Sequence, residues 1–240
     1  MFIIRIAELN ILVKNKYDYL YNMCKDYIVN DENYDFCVEV TNEEILAEQT
    51  ENFPFYYLES LAIYRKIAEK MPFYNGCLMH GALIDFKGDG SIFLAKSGVG
   101  KTTHIKLWQE YLGNSIKIIN GDKPIIRCID SHFYGYGTPW AGKENYNLNT
   151  KTLIKNICFV ERNEKNNCCE ISKDSILEKL LGQVYLSKKK TDFLKNIEFL
   201  NSFIKNTRAF KIECNKDIEA AKVAYSYIFA VDTTPDKMHL

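Results

Sequence analysis

The segment Ala95-Lys96-Ser97-Gly98-Val99-Gly100-Lys101-Thr102 constrains this chain more than any other. It fits the phosphate-binding loop pattern, with Ala in place of the usual first Gly. Ser91-Ile92-Phe93-Leu94 before it reads as a strand, and Thr103-His104-Ile105-Lys106-Leu107-Trp108 after it reads as the first turns of a helix. A glycine-rich turn in that context aims several backbone N–H groups inward, beside the positive end of a helix dipole. Polyphosphate is the natural ligand of such a nest. On this reading Ser97, Gly98, Val99, Gly100, Lys101, Thr102 and Thr103 hold the phosphates of a nucleotide. Lys101 reaches the β- and γ-phosphates and the Thr102 hydroxyl holds Mg²⁺. The plain alternative is a Gly-rich turn, and the strand and helix on either side argue against it.

Composition narrows the setting. The 240 residues suffice for one large domain or two small ones. With 47% hydrophobic and 26% charged residues the chain can supply a globular core. Lys plus Arg equals Asp plus Glu, 31 each, so no overall field favours nucleic acid or anionic lipid. The run Lys188-Lys189-Lys190 reads as solvated surface. The eight cysteines show no C-x-x-C spacing, and the adjacent pair Cys168-Cys169 suits neither a simple bridge nor a zinc knuckle. Arg5 comes too early for a signal peptide, and no apolar stretch approaches membrane-spanning length. The expectation is a cytoplasmic chain with reduced thiols and no membrane or nucleic-acid partner. A homo-oligomer is left open.

Turn signals and periodicity predict an α/β chain. Phe2 to Val13 reads as one or two strands, Lys16 to Ile28 as a helix, Asp35 to Val40 as a strand and Glu43 to Thr50 as a short helix. Pro54 opens and Pro72 closes a helix whose stripe includes Leu58, Leu61, Ala62, Tyr64 and Ile67. Cys77 to Phe86 reads as one buried strand, which places His80-Gly81 inside it. Lys87-Gly88-Asp89-Gly90 turns it back into Ser91 to Leu94. The helix from Lys101 stops near Gly113-Asn114. Strands follow at Ser115 to Ile119 and Pro124 to Ile129, then a loop from Gly135 to Trp140 and a strand from Leu153 to Glu161. Asp174 to Leu186 and Thr191 to Lys205 read as helices, Ala209 to Cys214 as a strand and Asp217 to Ala230 as a closing helix. Asp232 to Leu240 is expected to fray. Residues 1–75 are expected to pack as N-terminal strands and helices on a core of residues 76–233, the two forming one compact unit.

The chemistry gathers around the loop. Asp122 follows an apolar strand, and in an open α/β sheet ligands collect at the carboxyl ends of strands. A carboxylate there can reach Mg²⁺ or accept a proton from an attacking hydroxyl, though Asn-Gly-Asp is also an ordinary turn. His80 is a lone strand histidine, a core residue or a site residue. Lys143, in the loop Thr138-Pro139-Trp140-Ala141-Gly142-Lys143-Glu144, can contact a transferring phosphate, or the loop is a structural turn with Trp140 packed down. Arg162 is a second candidate phosphate cation, with a surface Glu161/Arg162 pair as the alternative. His104 lies three residues beyond Lys101, near the nucleotide or simply packed.

Taken in order, these motifs resemble the HPr kinase/phosphorylase-like proteins, whose core is related to ATP-dependent phosphoenolpyruvate carboxykinase. The resemblance rests on Met79-His80-Gly81-Ala82, Ser97-Gly98-Val99-Gly100-Lys101-Thr102-Thr103-His104, Asn120-Gly121-Asp122-Lys123-Pro124, Gly137 to Lys143, and Phe159-Val160-Glu161-Arg162. Tyr57 to Pro72 is similar to the lead-in of small bacterial members. The resemblance implies a mixed-sheet P-loop kinase core behind a smaller N-terminal α+β portion. It implies phosphoryl transfer from ATP with Mg²⁺ to a serine-like hydroxyl. Lys101 and Thr102 then bind phosphate and metal, Asp122 is the metal-linked carboxylate or base, and His80 lines the phosphate site. The chain departs from the family at three places. Gly121-Asp122 stands where HPr kinases have two aspartates, so one carboxylate serves or Glu144 helps. Lys96 replaces an acidic loop residue, which bears on the reverse reaction. No arginine-rich segment follows the core.

The expected activity is therefore an ATP- and Mg²⁺-dependent kinase acting on a protein, peptide or small-molecule hydroxyl. A non-catalytic nucleotide sensor, or an accessory protein of peptide maturation, is the alternative. A nucleotide-driven switch ranks behind both, because no water-orienting Gln lies beside the loop.

Overall fold

The computed structural model describes residues 1–96, 98–187 and 189–229. Ser97 of the loop, Lys188 of the basic run and the tail after Asp232 lie outside the described residues.

The N-terminal portion opens with a hairpin of β1 (Phe2–Ile6) and β2 (Leu9–Lys14). Its turn residues Ala7 and Glu8 both adopt positive φ, the twist that a two-residue hairpin demands. The predicted helix over Lys16 to Ile28 is a short α1 (Asp18–Met23) followed by a 3₁₀ turn. β3 (Phe36–Glu39) then joins β2 in parallel, completing a three-stranded sheet. A capping box at Thr41 and Glu44 starts α2 (Asn42–Leu46). The long α3 (Phe55–Lys70) buries Leu58, Ala62, Ile63 and Ile67 against that sheet.

The remaining strands form one nine-stranded mixed sheet. In chain order they begin with β4 (Gly76–Leu78), β5 (Ala82–Phe86) and β6 (Asp89–Leu94). After α4 (Lys101–Leu112) come β7 (Ile116–Asn120), β8 (Ile125–Ile129), β9 (His132–Tyr136), β10 (Lys151–Arg162) and β11 (Asn167–Glu170). Then follow α5 (Ile176–Leu181), α6 (Lys190–Lys205), β12 (Arg208–Cys214) and α7 (Glu219–Ile228). β10 pairs in parallel with β6 on one edge and with β12 on the other. β5 runs antiparallel to both β6 and β7, so β7, β6, β10 and β12 all point the same way. Their carboxyl ends share one rim of the sheet.

Alternation along the strands sorts the core into two layers. Phe93, Cys158, Val160 and Phe210 face α4 and α7. Ile92, Leu94, Ile157 and Phe159 face α5 and α6. Both faces of the sheet are thus covered, as its near-continuous apolar runs require.

Four sequence expectations need correction. Cys77 to Phe86 is not one strand: β4 pairs with β8, β5 pairs with β6 and β7, and Met79-His80-Gly81 is the step between them. Gly81 permits the step, since a Cβ there would lie 2.6 Å from Leu94. The loop predicted from Gly135 begins only after Tyr136. Asp130 and Ser131, both at positive φ, make a tight hairpin that extends β9 through Gly135-Tyr136. The helix predicted over Asp174 to Leu186 is only α5. Past Gly182 the chain extends, and Val184 bridges Met79. β11 went unpredicted because it is short. It places Cys168 inside and Cys169 outside by strand alternation.

Trp140 couples the N-terminal portion to the sheet. Its indole N–H donates to the Ser60 carbonyl of α3 at 3.0 Å, and its ring lies 5.1 Å from that of Tyr64. Leu78, Ile125 and Tyr136 belong to the same core cluster. Among the described residues no helix is long and apolar enough to cross a membrane. Replacing Trp140 by Ala removes a buried aromatic and the indole hydrogen bond to α3. The expected cost is about 3–5 kcal/mol of stability by urea denaturation. A loss under about 1 kcal/mol would show that the junction contributes little.

Candidate functional site

The loop between β6 and α4 depends on two glycines in left-handed conformations. Gly98 has φ of 78° and Gly100, the N-cap of α4, has φ of 115°. Any L-residue there is strained, and the turn that aims N–H groups at the start of α4 needs both. Beside the loop lies a cavity of about 740 Å³. Gly98 through His104, His80, Asp122 and Arg162 all border it.

Lys101, His80 and Asp122 converge at one end. The Lys101 ammonium lies 3.1 Å from His80 Nε2, and the same nitrogen lies 3.2 Å from Asp122 Oδ1. With Nε2 protonated it donates to Asp122; with Nε2 bare it accepts from Lys101. Lys101 is buried and also donates to the Ala95 carbonyl at 3.2 Å. Burial pushes its pKa down, and the Asp122 charge only partly offsets that. Burial disfavours the Asp122 anion too. The His80 hydrogen bond and the charges of Lys123, His80 and Lys101 outweigh it and hold the carboxyl below its ordinary 3.8. The expected His80 and Asp122 positions thus come together, although His80 lies in the step between strands and not inside one.

Asp122 is aimed by a turn in which the sequence reading gave Asn120 no role of its own. The fully buried Asn120 accepts from the backbone N–H of Asp122 at 2.9 Å and of Lys123 at 2.7 Å. Its amide donates to the Thr138 carbonyl and hydroxyl, and the Thr138 hydroxyl donates to the Lys123 carbonyl. Gly81 N–H donates to the Asp122 carbonyl at 2.8 Å, and His80 N–H donates to the Gln183 carbonyl at 2.7 Å. His80 and Asp122 are therefore fixed by one backbone ladder. Gly142, at φ of 75°, passes so near that a Cβ there would lie 3.2 Å from the Asp122 Cβ. The signal for Asn120 was its place two residues before an aspartate, an Asx-turn spacing.

Tyr64 of α3 is another residue the sequence reading assigned to core alone. It is buried and its hydroxyl has no partner among the described residues. Burial first, and then the negative charge of Asp122, push its pKa well up. The Lys123 ammonium sits 4.9 Å from its ring. Tyr64 therefore forms a neutral backing behind the Asp122 turn.

The other candidates stand apart from this cluster. Arg162 donates to the Val99 carbonyl at 2.9 Å and to the Gly98 carbonyl, so its guanidinium braces the loop from the cavity wall. Lys143 is exposed one residue beyond Gly142 and does not border the cavity. Glu144 is paired with Lys106 at 2.7 Å on the outer face of α4. Thr102 and Thr103 border the cavity, while Ser97 lies outside the described residues. Gly121 is held by its N–H donating to the Tyr146 carbonyl. A Cβ at Gly121 would lie 3.1 Å from the Ala141 carbonyl and 3.2 Å from Tyr146.

The donor set suits a polyphosphate with a divalent cation. Near Lys101 it offers backbone N–H groups, the Lys101 ammonium, the Thr102 and Thr103 hydroxyls and the Asp122 carboxylate. Among the described residues no cluster of three or more His, Cys, Asp or Glu could cage a metal by itself.

No protein-family model matches this chain, and no curated protein does. Among solved structures, it is similar to the Hpr(Ser) kinase/phosphatase from Coxiella burnetii, with a TM-score of 0.30 at 8% identity. That likeness covers 52% of this chain and 89% of the other. A similarity so low carries no argument here, and the functional reading rests on the residues above.

His104 sits on the same helix, 2% exposed. The Trp108 indole donates to its Nε2 at 3.0 Å, so its own proton lies on Nδ1. Nδ1 has no partner among the described residues, and a buried donor left so costs about 1–3 kcal/mol. Burial pushes the imidazole pKa from 6.5 down to about 4. Between these values the unfolded chain takes up a proton that the folded one refuses, so stability falls as pH falls. The contribution between about pH 7 and pH 4.5 is about 2–3 kcal/mol. Urea denaturation of His104→Phe should show a pH dependence shallower by that amount than the wild type. Parallel pH curves would mean the imidazole titrates normally.

Asn120→Ala should cost at least about 2 kcal/mol, since two backbone N–H groups and the Thr138 carbonyl lose a buried partner. It should also release Asp122. Its carboxyl chemical shift, followed by NMR against pH, should then titrate closer to 3.8 than in the wild type. An unmoved titration would show that the turn does not aim the carboxylate.

Proposed function

We propose that this chain is an ATP- and Mg²⁺-dependent kinase with a P-loop core of the HPr kinase type. Its acceptor is a hydroxyl, on a serine of a protein or peptide or on a small molecule. The observation that carries the reading is the convergence of Lys101, His80 and Asp122 on the cavity beside the start of α4. The ordered motifs from Met79 to Arg162 support it independently.

In this reading the N–H groups from Gly98 to Thr103 and the Lys101 ammonium take the phosphate charge. Mg²⁺, held by the Thr102 hydroxyl and the Asp122 carboxylate, supplies further neutralisation when bound. The acceptor oxygen bonds to the γ-phosphorus as the bond to the β-phosphate oxygen breaks, and ADP leaves. The acceptor proton passes to Asp122, whose depressed pKa keeps it anionic and ready, with His80 as its hydrogen-bond partner. Phosphoryl transfer needs little covalent assistance, so positioning and charge stabilisation account for most of the acceleration. Arg162 contributes by engaging the Val99 and Gly98 carbonyls and so bracing the loop. Such a chain belongs in the cytoplasm, where ATP is.

One observation favours a nucleotide sensor as the second reading. Glu144 is engaged by Lys106, so among the described residues only Asp122 offers a carboxylate at the Lys101 end of the cavity. Incubating the protein with γ-labelled ATP, Mg²⁺ and acceptors of each size class separates the two. Label appearing in a hydroxyl-bearing acceptor is expected. ATP binding with no transfer to any class would leave the sensor. Lys101→Ala should lower turnover at least ~10²-fold, the scale of one lost transition-state contact. Unchanged turnover in that variant would sink the kinase assignment.

A further inference from the structure

The cavity has a second end that phosphate does not explain. It runs from His80 and Asp122 past the first turn of α4 to Asn163 and Glu164, which follow β10, and to Cys214, Asn215 and Lys216 at the end of β12. Its apolar floor is Val160 and Cys214, one residue from each of two parallel neighbouring strands. The rim is fixed: Asn163 N–H donates to the Cys214 carbonyl at 3.0 Å, and the Asn215 amide donates to the Glu164 carbonyl at 3.2 Å. His104 borders the same space with a buried Nδ1–H that nothing in the described protein accepts.

We infer that this end receives the nucleoside, and that His104 Nδ1–H donates to an acceptor atom of the nucleoside. The inference rests on the nucleotide reading above and adds the direction in which the ligand lies. Lys101, His80 and Asp122 mark the phosphate end, so the remainder of a nucleotide extends over the ends of β10 and β12. An apolar floor suits the face of a base, and a polar rim suits its edges. The Trp108 indole, itself wholly buried between Phe93 and the α7 aromatics, fixes which imidazole nitrogen holds the proton. The Trp108 bond leaves His104 a single N–H donor, on Nδ1. A donor fixed at that depth distinguishes ligands by what they can accept, whereas the ammonium of Lys101 responds to charge alone.

Calorimetry with ATP and with inorganic triphosphate, each with Mg²⁺, tests the assignment. Wild-type protein should bind ATP more tightly than triphosphate. His104→Phe should lose about tenfold or more in ATP affinity, the scale of one buried hydrogen bond, with triphosphate affinity unchanged. His104→Asn, which keeps a donor near the Nδ1 position, should recover part of the loss. Equal losses for both ligands, or none for either, would overturn the role of His104. If the wild type binds neither ligand, the nucleotide reading itself fails, which is a different result. Photolabelling of the unaltered protein with 8-azido-ATP needs no variant. Label within Val160 to Glu164 or Cys214 to Lys216 is expected, and label confined to other segments would overturn the placement.

Discussion

An ammonium, an imidazole and a carboxylate are held at hydrogen-bond distance on the rim where parallel strands end, and the rest of the site depends on that. Partial burial of a lysine and an aspartate is costly unless each finds a partner. Here a histidine nitrogen lies between them, 3.1 Å from one and 3.2 Å from the other. The three come from separate pieces of chain: the step between β4 and β5, the start of α4, and the turn after β7. None is close in sequence, so their proximity follows from strand order. β5 lies between β6 and β7, which brings the step before β5 to the same rim as the ends of its two neighbours.

Side-chain and backbone hydrogen bonds together tie that rim to its surroundings. The Asn120 amide group ties the Asp122 turn to Thr138, and Gly81 bonds the same turn to the His80 step. Arg162 holds the loop from the other side. The loop carrying Trp140 continues from Thr138 and anchors on α3. Through Trp140 and Thr138, α3 is connected by direct contacts to the turn that carries Asp122. The N-terminal portion backs the site through Tyr64 without reaching the cavity.

Much of this was legible in the sequence, for physical reasons. The loop from Gly98 to Thr103 could be read because its conformation requires glycines and its Lys and Thr follow them at set spacings. Helix α3 could be read because Pro54 and Pro72 bound an apolar stripe. The β4–β5 break could not, since every residue from Cys77 to Phe86 except His80, Gly81 and Asp85 is apolar and periodicity alone sees one run. The β9 hairpin was hidden because Asp130-Ser131 lacks the glycine that usually marks a tight turn. Asn120 was hidden by its own ambiguity, as the same three letters serve an idle turn or one that aims a carboxylate. Arg162 reads from the sequence as a candidate phosphate cation or half of a surface pair with Glu161, whereas in the fold its guanidinium is spent on the Val99 and Gly98 carbonyls.

The single carboxylate is a consequence of packing and not a simple omission. The residue before Asp122 is Gly121, which adds no second carboxylate to the rim. The segment from Ala141 to Tyr146 fills the space where a side chain at that position would project. Its backbone accepts the Gly121 N–H, so the segment and the glycine fit each other. An aspartate at this place would require the segment to move, and with it Gly142, which touches Asp122. The lone carboxylate leans on His80 where a second anion would have repelled it. A lone Asp beside an imidazole is kept ionised by its neighbours, whereas two adjacent carboxylates each raise the other's pKa. The glycine thus changes the electrostatics of the rim, giving a less negative site in which His80 becomes the principal partner of Asp122.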